Sequence, residues 1–256
     1  MKRFFLYLGY DGKNYCGWQV QPNGTGVQSV IEHHLSLLLH CPTSITGAGR
    51  TDAGVHARLM VAHFDADLQP DDLPRVVERL NGMLPQDIVI YRIMPVRADA
   101  HARFDALSRS YQYYIGIGKN PFQRDYVYRL RRLPDIEAMN RAAVKLSDYS
   151  DFTAFSKLHT DVKTNNCRIM HAQWTPQPAL YEGDSEKWVF TVTADRFLRN
   201  MVRAIVGTLL EVGAGKCSLD DFCGIIESKD RRRAGTSVPA HALFLTEIRY
   251  PPEIFI

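Results

Sequence analysis

Strong net charge is missing from this 256-residue chain: 31 lysines and arginines stand against 28 aspartates and glutamates, a formal net charge of +3. So close a balance neither demands nor excludes a polyanionic partner, because nucleic acid is met by local clusters of charge, not by the average. Cysteine is sparse. Cys16, Cys41, Cys167, Cys217 and Cys223 are scattered, and no two have the Cys-x-x-Cys spacing of a zinc or thioredoxin site; reduced thiols in a reducing compartment are the expectation. No apolar run approaches the ~18 residues of a membrane span. The opening Met1-Lys2-Arg3 with Phe4-Phe5-Leu6-Tyr7-Leu8 imitates a signal peptide, but the run stops at Asp11 without a small-residue cleavage site, and a short first strand explains it better. A soluble, cytoplasmic protein without a membrane partner is expected.

What is present has the make-up of a globular fold, 45% hydrophobic and 23% charged, long enough for one large domain or two intimate smaller ones. Period-two and helical patterns alternate along it. Residues 2–10 read as a strand with Phe4, Leu6 and Leu8 on one face, and 11–26 as a loop. A helix follows from Val27, then a glycine-rich turn, a strand at 60–64, a helix at 72–82 and a strand at 87–96. The second half echoes this order: strand 110–118, helix 135–146, strands 167–175 and 188–194, and helix 198–212 stopped by Gly213 and Gly215. Ser218 opens another helix with Asp221 as its capping-box partner, and 243–250 closes as a strand. The expected class is α+β. Two similar halves, 1–105 and 106–256, would each be an antiparallel or mixed sheet backed by helices, in a ferredoxin-like or RRM-like arrangement forming a central cleft.

The segment most able to carry chemistry is Gly47-Ala48-Gly49-Arg50-Thr51-Asp52-Ala53-Gly54-Val55-His56-Ala57. Three glycines in eight residues mark a backbone under φ/ψ or close-approach demands, and Arg50, Thr51, Asp52 and His56 crowd four polar side chains into that turn. The bland alternative is a polar helix-to-strand turn in which Asp52 bonds its own backbone. Two basic stretches stand out. Residues 119–132 hold Lys119, Arg124, Arg129, Arg131 and Arg132 against Asp125 alone, with Phe122, Tyr126 and Tyr128 interleaved; Lys229-Asp230-Arg231-Arg232-Arg233 lies further on. Either is a solvated loop or a phosphate contact. Other motifs dissolve on inspection. Gly213-Ala214-Gly215-Lys216 follows a helix, has Leu210 and Cys217 where a phosphate loop needs Gly and Ser or Thr, and so is no phosphate loop. Neither His33-His34 nor Asp99, His101 and Asp105 completes a ligand set, and no metal is expected.

Gly49-Arg50-Thr51-Asp52-Ala53-Gly54-Val55-His56-Ala57 closely resembles the catalytic motif of the tRNA pseudouridine synthase A family. Other family-like segments follow in order: Gly17-Trp18-Gln19 with Gln21, His101-Ala102-Arg103-Phe104, Arg109-Ser110-Tyr111-Gln112-Tyr113 and Asp151-Phe152-Thr153-Ala154-Phe155. Then come Phe197-Leu198-Arg199-Asn200-Met201-Val202-Arg203 with Ile205-Val206-Gly207, and Ala234-Gly235 with Pro239-Ala240 and Leu243-Phe244-Leu245. The resemblance spans nearly the whole chain. Departures fall at Thr236-Ser237-Val238, at Ala242, and at Ser150, where a histidine often precedes the Asp-Phe pair.

The resemblance implies an isomerase that converts uridine to pseudouridine in tRNA, at positions 38, 39 and 40 of the anticodon stem-loop, as a homodimer without cofactor. It implies Asp52 as the catalytic nucleophile and Tyr111 as the residue that meets the target base, while Tyr113, two residues on, is expected in the core. A carboxylate shielded by substrate needs a guanidinium to remain charged; Arg50 and Arg203 are the candidates, also as substrate-binding residues. Three rivals are a pseudouridine synthase of different RNA target, a non-catalytic RNA-binding protein whose glycine-rich turn only grips phosphate, and a small-molecule enzyme using Asp52 as acid or base.

Overall fold

A computed structural model describes residues 1–22, 24–157 and 164–256; Asn23, within the expected 11–26 loop, lies outside the described residues. Among the described residues there are nine strands and five α-helices, an α+β protein in two compact units. The first comprises Met1–Ser108 and Leu245–Ile256, the second Arg109–Phe244. The C-terminal strand, which the sequence pattern attached to the second half, thus clusters from Leu245 onward with the first unit.

In the first unit the strand Lys2–Tyr10 (β1) pairs antiparallel with His56–Ala66 (β3) on one side and Ile88–Val96 (β4) on the other. The short strand Thr46–Gly47 (β2) pairs with β3, whose other neighbour is Leu243–Arg249 (β9). β1 was expected to bury one face, yet every residue from Phe4 to Tyr10 is buried. The chain's end supplies the second cover: the ring of Phe5 meets Tyr250 at 4.9 Å and Phe255 at 6.3 Å. A strand sealed on both faces loses its alternation. β3 outruns the expected five residues because the register with β1 runs from Tyr10↔Ala57 to Lys2↔Ala66, so even polar His63 and Asp65 find partners. Val27–Leu39 (α1) and Leu73–Met83 (α2) bury Val27, Ile31 and Leu35, and Leu73, Val76 and Leu80, at three- and four-residue spacing.

In the second unit Ser108–Ile117 (β5), Lys187–Ala194 (β8) and Ile169–Gln177 (β7) pair antiparallel in that order. The sequence pattern gave no sign of Tyr128–Leu130 (β6), which adds three parallel pairings to β5. Ile136–Lys145 (α3) packs against β7 and Met201–Gly213 (α4). Leu219–Ser228 (α5) begins at Ser218, whose capping box with Asp221 forms as expected. The expected start of α4 at Leu198 moves to Met201, because Asn200 takes the left-handed conformation at φ 66°. α4 is buried almost all round, including Met201, Val202, Ile205, Val206 and Leu209, which makes it the axis of this unit's core. Among the described residues no helix is long and apolar enough to cross a membrane.

Candidate active site

Asp52 sits in the turn between β2 and β3, and elements that precede it in the chain hold that turn from beneath. The Trp18 amide donates to the Thr51 carbonyl at 3.3 Å, the Gly54 amide to the Tyr15 carbonyl at 3.4 Å, and the Val55 amide to the Asp52 carbonyl at 3.1 Å. The Tyr10 hydroxyl shares a buried hydrogen bond with Thr51 Oγ1 at 2.8 Å. Gly17 is what lets the loop at 15–18 come this close to the turn. Its φ is +88°, and a Cβ there would stand 2.4 Å from the Thr51 carbonyl oxygen and 3.1 Å from the carbonyl carbon of Asp52. The first residues of α1 close the other side: the amides of Val27 and Gln28 donate to the carbonyls of Gly17 and Trp18 at 3.1 and 2.9 Å. Asp52 is half-buried and Arg50, two residues before it, is exposed.

Trp18 of the Gly17-Trp18-Gln19 segment and His56 of the turn are both buried. Trp18 is buried at 2% exposure, its ring 6.0 Å from Tyr10. His56 is buried too, with Nδ1 3.1 Å from the Gly12 amide and 2.8 Å from Asp11 Oδ1. One nitrogen cannot accept from the amide and donate to the carboxylate at once, so these partners compete for it. Of the turn's glycines, Gly54 takes φ +76° and Gly47 abuts the Trp18 indole, whereas Gly49 meets neither demand. Tyr10, which pins the turn by its hydroxyl, escaped the sequence reading because a tyrosine at a strand's end carries no pattern that separates anchor from core, and Tyr15 escaped it because it acts through its backbone carbonyl.

In the second unit Tyr111 lies on β5 opposite Val192, half-buried, with the Phe197 ring edge-on at 5.1 Å. Tyr113 is fully buried, as a core residue should be; burial drives its hydroxyl far above the ordinary tyrosine pKa, and it donates to the Pro239 carbonyl at 3.1 Å. Arg203 projects from the first turn of α4. Its Nε donates to the Val238 carbonyl at 2.7 Å while the Val238 amide donates to the Arg203 carbonyl at 3.2 Å. That reciprocal pair lays residues 236–238 along the helix, and Gly207 admits them: a Cβ there would stand 1.9 Å from the Thr236 carbonyl oxygen. Ser237 Oγ then receives the Asn200 amide at 2.6 Å and Arg231 Nη2 at 2.9 Å. Arg231, in a run read from the sequence as either a solvated loop or a phosphate contact, caps the carbonyls of Ala234 and Gly235, both at 3.1 Å. Its neighbour Arg232 pairs with Asp230 at 2.7 Å.

Comparison with known sequences resolves what this arrangement belongs to. Residues 8–105 and 142–251 match the sequence model of the family described as tRNA pseudouridine synthase. The chain belongs to that family. It is 60% identical to the tRNA pseudouridine synthase A of Parabacteroides distasonis over 255 residues, covering 100% of this chain and 98% of the relative. It is 58% identical to that of Bacteroides fragilis, covering 100% and 99%, and 39% identical to that of a Geobacter species, strain M21, covering 98% and 100%.

The tRNA pseudouridine synthase match runs through the Asp52 turn and through α4 with Arg203, so Arg50, Asp52 and Arg203 fall inside it. Tyr111 and the basic–aromatic stretch at 119–132 lie in the interval 106–141 that the family model leaves out, although the full-length relatives align across it. Among the described residues no group of three or more His, Cys, Asp or Glu side chains is arranged to hold a metal ion.

Proposed function

We propose that the chain isomerises uridine to pseudouridine in the anticodon stem-loop of tRNA, at positions 38, 39 and 40, with Asp52 as the nucleophile. The observation that supports this most is the Asp52 turn itself: a half-buried carboxylate in a glycine-rich loop pinned by Tyr10, Tyr15 and Trp18, in a chain of the tRNA pseudouridine synthase family. The chemistry asks little else. The C1′–N1 bond breaks, a C1′–C5 bond forms, C5 loses its proton and N1 gains one, so neither oxidant nor cofactor enters the balance. An anchored carboxylate engages the nucleoside as the base detaches, and departs as C5 takes its place.

Substrate covering the carboxylate raises the cost of its charge. Guanidinium groups counter that cost and orient the substrate through paired hydrogen bonds, the role assigned to Arg50 and Arg203. Tyr111, steadied edge-on by Phe197, is assigned to the target base. A uridine in a stem must first leave its stack, which costs a few kcal/mol, so contacts elsewhere on the RNA have to offset it. The working form is a cytoplasmic homodimer that needs no metal.

Mapping pseudouridine in unmodified tRNA after incubation with wild type and with Asp52→Asn tests the reading. Wild type converts anticodon-arm uridines; the variant binds tRNA with similar affinity and loses at least about a thousandfold in turnover, on the scale of removing a nucleophile. Turnover by Asp52→Asn near the wild-type rate removes Asp52 from its role, and tight binding without conversion by wild type leaves a non-catalytic RNA-binding protein. Sizing the same preparation reports the dimer.

A further inference from the structure

We propose that the two loops at residues 119–127 and 178–187 form a stacking platform for an unpaired base of the RNA, with Phe122 and Tyr181 as its rings and the neighbouring arginines on the flanking phosphates. This rests on the RNA-modifying function proposed above and extends it to the rings of the basic–aromatic stretch and the loop that meets them.

The two loops are built as one object. Asn120 accepts the Phe122 amide on Oδ1 at 3.0 Å and donates from Nδ2 to Asp184 Oδ1 at 2.8 Å. The other oxygen of Asp184 takes the Leu180 amide at 2.9 Å and the Lys187 ammonium, a pair whose side chains are 0% and 6% exposed. The Asp184 amide in turn donates to the Tyr181 carbonyl at 3.1 Å. One buried carboxylate therefore joins the backbone that carries Phe122 to the backbone that carries Leu180 and Tyr181. A buried ion pair is costly to assemble and needs its full set of hydrogen bonds, so these loops are specified far beyond what two solvated turns require.

What this framework presents is apolar. Phe122 is 77% exposed, Leu180 72% and Tyr181 42%, and the rings of Phe122 and Tyr181 meet at 6.0 Å and 90°. Single exposed hydrophobes are ordinary, but three on a rigid mount mark a contact surface. The charge of the two segments differs: Glu182 and Glu186 are exposed in the loop of Tyr181, while the cations gather in the stretch that holds Phe122. Lys119, Arg124, Arg129, Arg131 and Arg132 are all exposed in the same stretch, and Arg129 lies on β6, fixed by its pairing with β5. Aromatic faces among cations suit single-stranded nucleic acid, where any base has a face to stack and phosphates follow at each step.

Fluorescence anisotropy with the full chain separates the outcomes, using an unmodified tRNA transcript and a fully paired RNA duplex as probes over a range of salt. Phe122→Ala/Tyr181→Ala should weaken tRNA binding about tenfold to a hundredfold and leave duplex binding unchanged. Arg129→Glu/Arg131→Glu should flatten the dependence of log affinity on log salt by about two. Phe122→Tyr should bind as wild type, which guards against a folding defect in the alanine variant. Unchanged tRNA affinity in the alanine pair overturns the platform. So does an equal loss on the duplex, or a fall in oligomeric mass with RNA affinity intact, which would make this a protein contact. A wild type that binds tRNA with these differences but converts no uridine leaves the platform standing and removes the catalytic reading.

Discussion

The turn that carries Asp52 and the segment at 234–239 are both irregular stretches pressed against regular structure, and they are held by opposite means. Beneath Asp52 backbone meets backbone: Gly17 against Thr51, and main-chain bonds from Trp18 and Gly54. Along α4 one such approach at Gly207 is joined by side-chain hooks, with Arg231 forked over two carbonyls and Ser237 held by two donors. A contact made by leaving atoms out fails abruptly when an atom is added. Hooks are directional and fail one bond at a time. The Asp52 carboxylate gains from the first kind of support, in which the Tyr10–Thr51 hydroxyl pair is joined to backbone contacts that have no rotamer to change.

The comparison breaks most visibly at Gly17. Alanine there must adopt φ +88° and push its Cβ against the Thr51 carbonyl, which as backbone cannot swing aside. Gly17→Ala should cost at least about 3 kcal/mol in denaturant unfolding and take turnover with it. A loss under about 0.5 kcal/mol would show that the turn yields easily, and the distinction between the two supports would fall.

A second test lies in the first unit away from Asp52. His63 on β3 is buried and accepts the Ala102 amide on Nδ1 at 3.1 Å, with the His101 ring 4.6 Å away. Burial first, then the neighbouring His101 and Arg3, push its pKa from 6.5 down to about 4. The neutral ring is the folded form, so its contribution is complete above pH 6.5 and is lost as pH falls towards 4. Between pH 7.5 and pH 5 unfolding should become easier by about 2 kcal/mol, with His101, also lowered, adding in the same direction. His63→Gln keeps an acceptor without the titration and should flatten that slope. An equal slope in the variant assigns the acid sensitivity elsewhere.

These tests also mark how far the amino-acid sequence reads through to structure. α2, α3 and β4 were legible within a residue or so, because apolar periodicity is a local property. Ser218 as cap was legible because a capping box is a local spacing, whereas Tyr113 was told apart from Tyr111 only by the family resemblance, residues two apart in a strand sharing a face. β1 buried on both faces was not, since its second cover arrives from Tyr250 and Phe255 at the far end of the chain. The Asp52 turn could be singled out from its glycines and polar residues, yet its anchors Tyr10 and Tyr15 are distant partners that no spacing announces. The burial of His56 and Trp18 was not legible either, because polar and aromatic side chains near a motif do not disclose which way they point.

Arg231 is the sharpest instance, and it carries the smallest predicted effect. In Lys229-Asp230-Arg231-Arg232-Arg233 three arginines look alike, but one guanidinium is turned inward to Ala234, Gly235 and Ser237. A planar fork reaches three acceptors at once, whereas an ammonium is a point charge on a flexible stem. Arg231→Lys should therefore cost about 1–2 kcal/mol, through carbonyls left without a donor, and Ser237→Ala, which removes only an acceptor shared by two donors, about half of that. If Arg231 served phosphates instead, Arg231→Lys would leave unfolding untouched and weaken tRNA binding at every salt concentration. Measuring stability and tRNA affinity on the same variant decides between them, because a hook loses stability first and a phosphate contact loses affinity alone.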